Sequence, residues 1–294
     1  MDHRPVAKLC RSGVPTPDTS DFSGAQGDCP MRLACGDIMQ SVKKCKLCLL
    51  EEPLLNKSHI IPEFMYESLF DERHRLYKFS PAALSRGEGR ILKPPTGEYE
   101  GGLLCAECDN KIIGGYETYA RKALYGKVET DTDLPECANF ITPDGVKFTR
   151  CKNIRYKELK LFLLSIVWRA SISSRDLFRE VYLGPYEGTI RQMILDGDPK
   201  EANVFPILMM TWLGDKSFPA EVIGQPAINR KEKGIRYIFP IAGVTYIFHI
   251  SPSSLRKELK EFVLAPSNEV SILHVPEGKS SELFTTYFLG KKIT

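Results

Sequence analysis

The chain has 294 residues, 43% of them hydrophobic and 26% charged, proportions that allow a buried core and exclude wholesale disorder. Its length suits two compact units. Forty Lys and Arg against 37 Asp and Glu leave a net charge of +3, which neither demands nor forbids a nucleic-acid partner and excludes a transcription-factor-like basic excess. Any polyanionic partner must then be met by basic residues concentrated on one face.

The first twenty residues carry no apolar core behind a positive stretch, and the longest apolar run, at 161–168, is too short to span a bilayer. A soluble, cytoplasmic protein is expected. Nine cysteines, an odd number, then read as thiols or metal ligands and not as disulfides.

In chain order, residues 1–40 are rich in Pro, Gly, Ser and Asp and read as a flexible tail, with Cys10, Cys29 and Cys35 as free thiols. Residues 41–126 form a patchwork of short elements. A knuckle at Cys45-Lys46-Leu47-Cys48 leads to a strand at 57–61, and Pro62 opens a helix expected over 63–70. A strand is expected at 75–79 and a loop at 80–102. The second knuckle, Cys105-Ala106-Glu107-Cys108, opens a helix running to about residue 124.

Residues 127–155 read as a connector holding a hairpin, because Pro143-Asp144-Gly145 is a turn signal between two apolar runs. Cys137 and Cys151 flank it. They read as structural thiols, with a zinc pair as the alternative.

From residue 156 the elements lengthen into a mixed α+β C-terminal domain, 156–294. Leu159, Phe162, Leu163, Ile166, Val167 and Ala170 recur at helical spacing, so a buried helix is expected over 156–173, and a second over 186–195. Strands follow at 204–212 and at 236–250, the latter broken by a turn at Ala242-Gly243. A helix over 253–263 and a strand over 268–275 close the expected set.

The two Cys-x-x-Cys pairs carry the most specific signal. Each makes a tight turn whose amides point at its sulfurs, and two such turns complete a tetrahedral thiolate site for one zinc ion. Cys45, Cys48, Cys105 and Cys108 leave no coordination position open, so this zinc is structural. Its binding free energy, roughly 10–16 kcal/mol in small zinc peptides, is large enough to hold a segment with little apolar pattern of its own.

With the knuckles assigned, Ser58-His59-Ile60-Ile61-Pro62 and Leu103-Leu104-Cys105-Ala106-Glu107-Cys108-Asp109-Asn110 resemble the zinc-bearing branch of the HNH, or ββα-metal, endonucleases, over about residues 41–124. The resemblance implies a small zinc-stabilised ββα-metal module that cleaves phosphodiester bonds of DNA with one divalent ion, Mg²⁺ or Mn²⁺. RNA is the alternative substrate. It also implies, for many relatives, a defence role against foreign DNA, with residues 156–294 receiving a regulatory protein or signal.

By position, the resemblance makes His59 the general base, a role typically worth about 10² to 10⁴ in rate. Asp109 falls where such enzymes often carry a final histidine or asparagine, with Asn110 next to it, and Glu100 falls near their middle asparagine. Asp109 and Glu117 are the candidates to hold the catalytic ion. Ser58 stands where many relatives have an aspartate ligand, and the final histidine is absent. A degenerate, non-catalytic zinc-ribbon module binding nucleic acid or protein is the alternative. Residue by residue, His59 could instead bond a knuckle carbonyl, Asp109 cap the helix after it, and Lys57, Lys111 and Arg121 serve as phosphate contacts or as solvated cations.

Overall fold

A computed structural model describes residues 43–69, 97–126, 134–218, 222–230, 234–251, 255 and 257–288. The expected tail with Cys10, Cys29 and Cys35, the strand at 75–79 and most of the loop at 80–102 lie outside the described residues.

Elements in the N-terminal part are as short as the patchwork suggested. Strands β1 (Lys43–Lys44) and β2 (Glu51–Glu52) pair antiparallel around the first knuckle, and β3 (Ser58–His59) pairs antiparallel with β4 (Tyr99–Glu100). Backbone bonds stitch the two knuckle regions together: Lys46 N to Leu103 O at 2.9 Å, Leu55 N to Leu104 O and Gly102 N to Leu55 O, both at 2.8 Å. At Gly101 a side chain would meet the Asn56 carbonyl oxygen at 2.5 Å, so only glycine lets the strands approach so closely. Beyond the second knuckle the chain winds as a π-helix over Glu107–Ile113 and continues as α1 (Gly114–Tyr125).

The helix expected over 63–70 is instead two 3₁₀ turns, Glu63–Met65 and Glu67–Leu69. Phe64, Met65 and Tyr66 are all buried, so this segment is covered on more than one side.

Strands β5 (Glu136–Ile141) and β6 (Lys147–Lys152) form the expected hairpin, with Gly145 at φ 84° in its turn. The helix expected over 156–173 is α2 (Tyr156–Ile172), and the next is α3 (Glu187–Asp196). Then come β7 (Ile207–Thr211), β8 (Ala227–Asn229), β9 (Arg236–Ile241), β10 (Val244–His249), β11 (Glu269–His274) and α4 (Ser280–Phe288). Ala242 and Gly243, at φ 47° and 86°, make the two-residue turn that matches the twist of β9 and β10. A 3₁₀ turn, Lys257–Phe262, stands where a helix was expected over 253–263.

Seven strands form one mixed sheet in the order β5-β6-β11-β7-β10-β9-β8. All neighbours are antiparallel except β11 and β7, which run parallel. Residues expected as a connector thus supply the first two strands of this sheet. Register places Cys137 directly opposite Cys151, with Cα atoms 4.0 Å apart, and the two are joined in a disulfide. That corrects the expectation of structural thiols: spacing along the chain does not reveal which residues a hairpin sets face to face.

Helix α2 is buried on every side, Lys160, Ser165 and Arg169 included. A helix apolar around its whole circumference must be covered on more than one face. Here one continuous core runs from Cys45, Ile60 and Ile113 through Phe162 and Trp168 to Met209, Phe239 and Phe248 in the sheet. Phe64 stacks on Phe162 at 5.8 Å between ring centres and meets Tyr125 edge-on at 5.5 Å. From α3, Arg191 Nη1 donates to the Leu47 carbonyl inside the first knuckle at 2.6 Å. The architecture is therefore mixed α+β, with α2 between the cysteine-bearing segment and the sheet.

Candidate metal centre and histidine cleft

The four sulfurs of Cys45, Cys48, Cys105 and Cys108 lie within 4.8 Å of one another. Tetrahedral thiolates around zinc, with bonds of about 2.3 Å, sit roughly 3.8 Å apart, so small side-chain adjustments close this set on an ion. Leu49, in the left-handed region at φ 64°, closes the first turn by donating its N–H to the Cys45 carbonyl at 3.0 Å. The Cys105 N–H points at Cys45 Sγ, 3.4 Å away.

Without a cation the four thiols cannot ionise together. Burial pushes Cys108 well above the usual thiol value, and the neighbouring sulfurs add to it; burial likewise raises Cys105. Burial opposes ionisation of Cys45 too, but the amides of Cys105, Cys48 and Leu47 overcome it and hold that thiol below its ordinary value. Amides arranged for one thiolate, crowded by three more sulfurs, fit a soft cation such as zinc, and the closed donor set fits a structural one.

His59 stands opposite Tyr99 in the β3–β4 pair. Arg169 of α2 fixes the strand, its Nη1 donating to the His59 carbonyl at 2.6 Å. The same guanidinium donates through Nε to the Ser165 carbonyl at 3.3 Å and sets Nη2 2.8 Å from Glu117 Oε1 on α1. Around this hub His59 Nε2 is buried without an aligned hydrogen-bond partner, whereas Glu117 Oε1 is met by Arg169 and the Ser58 hydroxyl stands near Asp109. Such an unpartnered atom is uncommon in a folded core and marks a place where water, an ion or a ligand completes the structure.

His59, Pro62, Glu63, Phe64, Glu67, Glu117 and Arg121 line a cleft of about 430 Å³. Burial lowers the His59 pKa below its ordinary value, Lys57 and Arg169 push the same way, and Glu63 opposes them. The imidazole is therefore neutral at physiological pH. Burial raises Glu117, against the pull of Arg169 and with the charge of Asp109 adding to the rise. Asp109 is likewise raised by burial; Arg169 and the nearby Ser58 hydroxyl favour its ionised form without reversing the shift.

The sequence-derived candidates separate in space. His59 and Glu117 face one cleft, and Asp109 is partly buried beside Ser58 and Arg169. Glu100 points elsewhere: its carboxylate accepts from Ser173 Oγ at 2.7 Å, Ser174 N at 2.8 Å and Ser174 Oγ at 2.7 Å, clamping β4 to the end of α2. Asn110 is exposed. Among the described residues the four cysteines are the only group of three or more Cys, His, Asp and Glu donors close enough to share an ion, so His59, Asp109, Glu100 and Glu117 do not form a second set of three.

Of the basic candidates, Lys111 pairs with Glu107 at 2.7 Å and Arg121 with Glu67 at 2.6 Å. Sequence reasoning missed Arg169 and the cleft acids Glu63 and Glu67. One signal for Arg169 was available, a lone cation inside an otherwise apolar helix, since a buried guanidinium must face a polar partner.

No family model matches the chain, and no curated protein or solved structure matches it. No helix among the described residues is long and apolar enough to cross a membrane.

Proposed function

We propose that the chain is an HNH-type, metal-dependent endonuclease that hydrolyses DNA phosphodiester bonds, with one structural zinc on Cys45, Cys48, Cys105 and Cys108. The observation that carries this reading is His59 Nε2, buried, without a hydrogen-bond partner, on a residue that lines an acidic cleft. The order of parts supports it too: a short antiparallel pair bearing the histidine, then a knuckle, then a helix bearing Glu117.

In this reading neutral His59 removes a proton from water as the water oxygen attacks phosphorus and one P–O ester bond breaks. Arg169 holds the strand so that the imidazole stays aimed into the cleft. Magnesium or manganese would neutralise charge developing on the phosphoryl oxygens. Asp109 and Glu117 are the residues to hold such an ion, and substrate phosphate would complete its shell, since magnesium commonly uses only one or two protein carboxylates. Deployment in defence, with residues 156–294 receiving the trigger, rests on the resemblance alone.

A second reading is a non-catalytic zinc-ribbon module that binds nucleic acid or protein. The pairing of Glu117 with Arg169 favours it, because the carboxylate already has a cation beside it. Incubating the purified chain with supercoiled plasmid and Mg²⁺ or Mn²⁺ separates the two. Nicking that disappears in His59→Ala supports the endonuclease; no cleavage with any divalent ion, together with binding that survives mild EDTA, supports the binding module.

A further inference from the structure

Beside the cleft, the exposed ring of Tyr99 stands edge-on to His59, with 6.2 Å between ring centres. Two cations sit over that ring: Lys57 Nζ at 4.8 Å from its centre and Arg175 Cζ at 5.5 Å. Lys57 lies two positions before His59 and so emerges on the same face of the chain. Arg175 comes from the turn after α2, which Glu100 anchors through Ser173 and Ser174; the Arg175 N–H also donates to Ser173 Oγ at 3.1 Å.

Both cations are exposed, and neither has an ion-pair partner among the described residues. Nearby cations behave otherwise. Arg121, Lys111 and Arg179 each sit against a carboxylate. An aromatic face holds a cation in place without neutralising it, whereas a carboxylate does both. Lys57 is thus positioned with its charge available next to the histidine, and Arg175 keeps an exposed guanidinium that the nearby Glu100 carboxylate offsets only in part.

We propose that Lys57 and Arg175, held on the Tyr99 ring, clamp the phosphate backbone of a nucleic acid on the side of the bond offered to His59. The assignment rests on the reading of His59 as the base of a phosphodiester hydrolase. It gives Glu100 a task as well: its carboxylate orients the turn that delivers Arg175. Tyr99 is a positioning residue here, acting through the two cations.

The test uses the full chain carrying His59→Ala, so that substrate stays intact, and measures the affinity of fluorescein-labelled duplex DNA, single-stranded DNA and RNA of one sequence between roughly 50 and 200 mM salt. Changing Lys57 and Arg175 together to Gln should flatten the slope of log affinity against log salt by about 1.8 on duplex and about 1.4 on single strands, two phosphate contacts' worth. Tyr99→Leu should weaken binding about 2- to 5-fold and Tyr99→Phe should restore it, as expected of a ring that holds cations. The strand type is identified by the arm whose change reaches its own two-contact value.

An unchanged slope on all three nucleic acids in the double variant overturns the clamp. The hydrolase reading fails separately. If the His59-bearing chain cuts plasmid but the slope does not move, the clamp alone is lost; if the slope moves and no condition gives cleavage, the catalytic role of His59 is lost.

Discussion

Around His59 the important group is Arg169, which touches the histidine's own carbonyl, Ser165 and Glu117 from a position almost closed to solvent. Arg169→Met should leave the Glu117 carboxylate partly buried without its cation and cost about 3 kcal/mol, the lower end for breaking a buried pair. Urea denaturation reads this directly, and a variant as stable as the parent would remove the hub from the account. For catalysis, His59→Ala should cut plasmid nicking by about 10² to 10⁴. Because burial, Lys57 and Arg169 lower the His59 pKa against Glu63, the rate should rise with pH and level off at lower pH than an ordinary imidazole would give. Lys57→Gln removes one lowering influence and should move the rising limb to higher pH; a limb that stays in place would assign the titration to another group.

Among the elements, the cysteine-bearing segment depends most on its ligand, because β1 to β4 are two residues each and cannot hold a sheet by themselves. Elemental analysis of freshly purified protein should find about one zinc per chain, the content of a closed four-thiolate site. Cys105→Ser should drop this below stoichiometry and lose aromatic circular dichroism from the segment, since metal binding in such units is folding free energy. Full occupancy without Cys105 would place the ion elsewhere. Helix α2 should survive that change more readily, because the sheet and α3 still cover it.

At the scale of the molecule, one core joins the cysteine-bearing segment, α2 and the sheet, so a disturbance in one part reaches the others through packed side chains. Acid supplies such a disturbance through His249 on β10, whose burial, with Arg236 beside it, lowers its pKa to about 4. Its unfolded value is near 6.5, so between roughly pH 6.5 and 4 the unfolded chain binds the proton that the folded chain refuses. Stability should fall by about 3 kcal/mol as pH drops through that window and change no further from this group below it. Comparing denaturation midpoints of the parent and His249→Phe at pH 7 and pH 4.5 checks it, and an equal acid loss in both would clear this residue.

Much of the chain's local order follows from residues close in sequence. The 3.6-residue apolar rhythm over 159–170 announced α2 within a residue and turn chemistry announced the hairpins at 143–145 and 242–243, because each depends on neighbours only; the sulfur cluster joins distant knuckles and was legible because one ion needs four ligands. His59 and Glu117 were legible as candidates from their placement around the knuckles, and the structure brings both to one cleft. Long-range contacts decided the rest. The insertion of β11 between β6 and β7, parallel to one and antiparallel to the other, leaves no mark on the local pattern of any of the three strands. The Cys137–Cys151 disulfide follows from the register of a hairpin, and the fate of Glu100 from two serines at the end of α2. Sequence fixes what each segment can form alone; only packing decides which charge meets which partner, because that depends on residues tens to a hundred positions apart.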